Sequence, residues 1–131
     1  MIVVLIIAVL ATIIIALTMN GARRGRESSL RGNLHELRTG VERFQADCGA
    51  LPPALADLVV RSSSEISSDA DGRGVALDRS GYKGPYVITG DGGLPSDPIT
   101  RGVDWYYDNT TGEIRSRSTA VGLNGMPYSD W

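Results

Sequence analysis

The sequence predicts an α+β fold: a long N-terminal α-helix packed against a small antiparallel β-sheet, with a C-terminal loop. Three observations carry this. Residues 1 to 21 hold no charged side chain and are apolar on every side. Leu30, Leu34, Leu37, Val41 and Phe44 then recur at spacings of 4, 3, 4 and 3, which lays one apolar stripe along a helix. Beyond Pro52 the chain changes to glycine, turn residues and short β-branched or aromatic runs. Charge follows the same division. From Ala22 to Arg43 there are six Arg against three Glu, and residues 44 to 131 hold seven bases against twelve acids, for a formal net charge of −2 over 131 residues. That balance gives no overall attraction to nucleic acid, and the length admits one modest domain rather than a large multidomain enzyme.

The run from Met1 to Met19 is long enough to cross a bilayer, because at ~1.5 Å per residue it approaches the ~30 Å of a hydrocarbon core. Its many β-branched residues lower helix propensity in water, but in lipid a single segment must satisfy its amides internally, so helix is expected. A cleaved signal peptide fits poorly. No Lys or Arg precedes the run, and Asn20-Gly21-Ala22-Arg23-Arg24 is a weak cleavage context. The amphipathic half, residues 22–48, continues the helix into water, with Arg31, Glu36, Arg38, Glu42 and Arg43 off the apolar stripe. Gly21, Gly25, Gly32 and Gly40 each weaken it by up to ~1 kcal/mol relative to alanine, so bending is expected near Gly21 to Gly25. Gly49 followed by Pro52 and Pro53 places the end near residue 47. A continuous helix would be ~70 Å long.

Residues 49–131 form the head. Leu51 to Val60 reads as a short helix that turns Leu55, Leu58 and Val59 onto the stripe, and residues 61–74 as a polar, flexible surface loop. Tyr86 to Thr89 and Val103 to Tyr107 have strand composition, and Asn109-Thr110-Thr111-Gly112 turns the latter into Glu113 to Ser116. The hairpin, residues 103–117, is expected to place Val103, Trp105 and Tyr107 on one face. Asn109-Thr110-Thr111 also spells a glycosylation sequon, which turn chemistry explains without modification.

Candidates for chemistry are few. Cys48 is the only cysteine, which excludes an internal disulfide or a thiolate zinc cluster and suits a buried apolar position. His35, the only histidine, falls among Arg31, Glu36 and Arg38 on the helix surface, where a solvated role outweighs catalysis. Asp69-Ala-Asp71-Gly-Arg73 begins like an EF-hand, but Arg73 stands at the fifth position and Ser80 at the twelfth, so a calcium loop is rejected there. With no nucleophile elbow, phosphate loop or histidine pair, an enzyme is not expected.

A helix apolar in its first half and amphipathic in its second, followed by a small glycine-rich β region, resembles the type IV pilin-like proteins, especially the major pseudopilins of type II secretion. Met1 to Leu17 is similar to the part of their signal helix after Phe-Thr-Leu-Ile-Glu-Leu. Asp47-Cys48-Gly49-Ala50-Leu51-Pro52 resembles the segment that ends their long helix. Gly84-Pro85-Tyr86, Leu94-Pro95-Ser96-Asp97-Pro98, Asp104 to Asp108 and Thr111 to Ser116 resemble their β-region motifs.

The resemblance implies a pilin-like fold and a structural subunit of a periplasmic filament, stored in the bacterial inner membrane with a periplasmic head. Ile6, Val9, Ile13 and Leu17 would face lipid or neighbouring helices, while Leu30, Leu34, Leu37, Val41 and Phe44 would pack under the head. Implied partners are further copies of the chain, minor pseudopilins, an inner-membrane platform protein, a secretion ATPase complex and inner-membrane lipid, with no nucleic acid. The family's leader, its Gly-Phe junction, its methylated mature N-terminus and its early glutamate are a departure, being absent from Met1 onward: either they stand upstream of Met1 or processing is lost, and no residue here inherits the glutamate's role. Read literally, Arg23, Arg24 and Arg26 after the apolar run would place the head in the cytoplasm. The resemblance implies the opposite, because a basic leader would restore the orientation. It also implies a calcium loop in residues 122–131, with Asn124 and Asp130 offering side-chain oxygens and Leu123 and Ser129 carbonyls; packing of Trp131, Tyr128 and Met126 is the alternative reading. A pilus or competence pilin would use the same helix. A different class, a monomeric membrane-tethered binding domain, would use Trp105, Tyr106 and Trp131 as its contact surface.

Overall fold

The computed structural model describes residues 1–131, with the side chain of Ala16 left out. One helix, α1 (Ile2–Cys48), runs through both the apolar and the amphipathic segment, and its assignment is unbroken at Gly21 and Gly25. It stops one residue later than the sequence suggests. Gly49 takes a left-handed conformation, φ 74°, and its N–H donates to Gln45 O at 2.9 Å.

The head packs along one face of the second half of α1. Leu30, Leu34, Leu37, Val41 and Phe44 are all buried, together with Cys48, Leu51, Leu58, Ile66, Val87, Trp105, Ile114 and Tyr128. Gly40 belongs to this packing. A Cβ there would lie 2.8 Å from the Val87 Cγ2 and 3.4 Å from a Leu58 methyl, so the glycine that weakens the isolated helix is what lets the 85–88 segment approach it.

The only regular sheet among the described residues is a hairpin. Strand β1 (Tyr106–Asp108) pairs antiparallel with β2 (Glu113–Arg115), with Tyr107 opposite Ile114. Gly112, at φ 79°, closes the turn by donating to Asp108 O at 2.7 Å. The strand thus begins three residues later than its composition suggests. Trp105 is buried and Tyr107 half-buried, but Val103 is 57% exposed and does not share their face.

Two further expectations are corrected. Tyr86 to Thr89 is no strand: the amides of Tyr86 and Val87 both donate to one acceptor, Leu58 O, at 2.8 and 3.2 Å, an arrangement that cannot propagate as a ladder. The short second helix contracts to a single 3-10 turn, Leu55–Leu58, with Leu55 and Leu58 buried and Val59 partly so.

The polar segment 61–74 is tied down by carboxylates at either end. Asp57 accepts from Ala54 N at 2.9 Å, Ser67 N at 3.0 Å and the Ser67 hydroxyl at 2.7 Å. Asp71, 6% exposed, accepts from the amides of Leu51, Arg73 and Val75 and from the Arg73 guanidinium at 2.7 Å. Burial raises the Asp71 pKa, but these donors outweigh it and hold the carboxyl at about 2. Such a group stabilises fully above its unfolded value of 3.8, and the contribution is lost as pH falls toward about 2. Amide exchange at Arg73 and Val75 is expected to accelerate across that interval, and Asp71→Asn to abolish the dependence.

Candidate functional site

The most exposed apolar surface of the molecule is the first half of α1. Its window is long and apolar enough to cross a membrane, and none of it is buried. Ile6, Val9, Ile13 and Leu17 are each more than half exposed, as are Leu5, Leu10 and Ile14 around them, so the apolar surface encircles the helix rather than forming one stripe. A helix apolar all round with nothing packed on it is of a kind suited to lipid or to other apolar helices. By contrast Leu30 to Cys48 bury their stripe within the same chain.

The two halves meet where the C-terminal segment docks. Glu27 is buried, and its Oε1 accepts from Leu123 N at 2.7 Å and from the Tyr128 hydroxyl at 2.8 Å. Arg23 stands 3.8 Å from that oxygen and donates to Val121 O. Burial pushes the Glu27 pKa up, but the Leu123 amide, the Tyr128 hydroxyl and the charges of Arg23 and Arg31 outweigh it, leaving the carboxyl below its usual range. Glu27 was not singled out as a site, although it sits three residues before Leu30 and extends the stripe. A carboxylate on a buried helical stripe was the signal.

Residues 121–127 fold back as a narrow turn. Val121 bridges Pro127, Gly122 N donates to Met126 O at 2.8 Å, and Gly125 N to Gly122 O at 3.0 Å. Trp131 lies beneath an Arg31 guanidinium, 4.4 Å from its ring centroid, with the Tyr128 ring edge-on at 5.0 Å. Arg38 joins this segment to the hairpin by donating to Ile114 O at 2.9 Å and Trp131 O at 2.6 Å.

These contacts bear on the calcium expectation. Asn124 Oδ1 already accepts from Met126 N at 3.1 Å, and Asp130 Oδ1 faces its neighbour, the Ser129 hydroxyl, at 3.4 Å. Leu123 turns its amide to Glu27. Asn124 and Asp130 share their cleft with the guanidiniums of Arg31 and Arg38. One carboxylate beside two fixed positive charges does not make a hard-cation cage, which calls for six or more oxygens and negative charge. Of the side chains in the packing reading, Tyr128 is buried and Trp131 half-buried but Met126 is 49% exposed, and the turn is held by its backbone hydrogen bonds and by Glu27; no function is routed through a metal. Millimolar calcium is expected to leave the melting temperature unchanged. A rise of several degrees would reinstate Leu123, Asn124, Ser129 and Asp130 as ligands.

Other residues fall as follows. His35 is exposed, in a shallow cleft with Glu36, Thr39, Arg43 and Tyr86. Cys48 is fully buried, and desolvation with the nearby charges of Asp47 and Asp78 pushes its thiol pKa up. Trp105 is 5% exposed and donates its indole N–H to Pro95 O at 2.8 Å, so it forms no contact surface. Of the aromatic trio expected for a tethered binding domain, Tyr106 and Trp131 are half-buried under Arg115 and Arg31.

No family model, curated protein or solved structure matches the chain.

Proposed function

We propose that this chain is a structural subunit of a helical filament, stored in the bacterial inner membrane through residues 1–21 and withdrawn into the filament when it grows. The head would stand in the periplasm, and the filament would act as the pseudopilus of type II secretion. The observation that carries this reading is the division of one unbroken helix: the apolar stripe of its second half is covered by the head, whereas its first half is apolar on all sides and uncovered. Such a surface accepts lipid or copies of itself, and each apolar Å² removed from water contributes roughly 25 cal/mol. Contacts between different faces of successive copies let an array extend without closing. Energy for growth would come from a partner ATPase working through a platform protein. Minor pseudopilins are the further expected partners.

Cysteines at Ile6 and Ile14, on the exposed helix, test this in cells holding the whole secretion machine. A cross-linked ladder of multimers is the expected result. A single monomer band would overturn filament assembly and leave the apolar run as an anchor only.

A further inference from the structure

Two loops of the head come down on α1 where its apolar run ends. Ile99 and Val121 line a cleft of about 450 Å³ with Met19, Ala22, Arg23 and Arg26. At ~1.5 Å per residue, Ala22 to Arg26 stand ~5–10 Å above Met19, and a headgroup layer extends roughly 5–8 Å beyond the hydrocarbon. If Met19 marks the edge of the hydrocarbon, as the proposed anchoring requires, the lower part of the cleft at Ala22 and Arg23 lies within that layer and Arg26 stands at its outer edge. Its chemistry has two parts. Val121 is 49% and Leu123 43% exposed, although both backbones are pinned to the helix through Arg23 and Glu27. Arg24 and Arg26 are exposed, as is Arg101 two residues beyond Ile99, and none of the three makes an ion pair among the described residues. On the helix side the carboxylate nearest this level, Glu27, is buried and already occupied, and on the loop side Asp97 is buried while Asp104, three residues beyond Arg101, is exposed.

The geometry points to a second membrane contact: the foot of the head, formed by Ile99, Val121 and Leu123 with Arg24, Arg26 and Arg101, binds the headgroup layer of an anionic bilayer. The aliphatic side chains enter the interface between headgroups and chains, and the guanidiniums bind lipid phosphates bidentately. The Arg23 and Glu27 contacts hold the loop at that height, so it does not have to be ordered on binding. The head would then be held against the membrane until the subunit is withdrawn. Basic groups at an anionic surface are worth about fivefold each in partition, so removing Arg24 and Arg26 together is expected to weaken the contact ~30-fold.

The test uses the full chain with Cys48→Ser and a single cysteine at Val121, or at Thr110 in the exposed hairpin turn as control, each carrying a polarity-sensitive fluorophore. The protein is reconstituted into vesicles of phosphatidylcholine, with or without phosphatidylglycerol, containing headgroup-nitroxide lipid. The Val121 probe is expected to be quenched in the anionic vesicles. It should be released by Arg24→Gln with Arg26→Gln or by high salt, while the Thr110 probe stays unquenched throughout. An inserted chain whose Val121 probe is unquenched, or equally quenched in both lipids, overturns the proposal and leaves the anchor intact. Protection that appears only as protein-to-lipid ratio rises would assign the foot to a second copy and overturn it likewise. A chain that fails to float with vesicles overturns the anchoring reading, and this one with it.

Discussion

Phe44→Ala is expected to destabilise the head by about 3–5 kcal/mol. Phe44 is wholly buried and lies near the C-terminal end of the covered half of α1, one turn before Cys48. Its ring meets Tyr82 edge-on at 6.0 Å and Tyr86 at 5.7 Å, and those two rings meet each other at 5.3 Å. Truncation removes the transfer energy of the ring, leaves a cavity the helix cannot close, and forfeits two aromatic contacts worth ~0.5–1.5 kcal/mol each. The Tyr86 hydroxyl, which donates to Asp47 at 2.8 Å and accepts from Lys83 N at 3.0 Å, would lose the wall that orients it. For a head of this size the melting temperature should fall by about 15–30 °C, read by near-ultraviolet circular dichroism of the tyrosines. A loss below 1 kcal/mol would mean the three rings do not form the keystone described.

Ile13→Asp carries the second large effect, on the other half of the helix. Ile13 is 53% exposed with no partner in the chain, so the substitution costs the head almost nothing. At the centre of a bilayer-spanning helix, however, an aspartate costs about 3 kcal/mol, more than a hundredfold in insertion. Flotation with vesicles should fall accordingly while the tyrosine signal and melting temperature of the head stay unchanged. A variant that floats as the parent does would show that Met1 to Met19 does not reside in hydrocarbon.

The helix and its stripe were legible in the sequence because α1 is governed by local chemistry: an apolar run, then a 4-3-4-3 repeat, then Gly49 before two prolines. All five stripe residues are buried. The hairpin was legible from its turn, since Asn109 to Gly112 is specific, while the strand start was not, because Val103 has strand composition but no partner strand. Segment 61–74 is the polar surface loop its composition suggests, but how it is held was not legible, and Tyr86 to Thr89 is not the strand its composition suggests, for a shared reason. Their shape is set by single atoms contributed from elsewhere in the chain: the carboxylates of Asp57 and Asp71, the carbonyl of Leu58 and the space above Gly40. No window of neighbouring residues encodes those. Glu27 was hidden likewise, because its meaning depends on Leu123 and Tyr128, about a hundred residues on.

The uninterrupted α1 also makes the molecule a stiff shaft keyed into its own head. From Leu30 to Cys48 side chains lock shaft and head together, and Arg38 pins the hairpin and the C-terminal segment to the same rod. A torque applied around Ile6 would therefore swing the head through the same azimuth. Gly21 and Gly25 themselves have nothing within 4 Å of where a side chain would stand, so any twist lost between Ile6 and the head would be lost there.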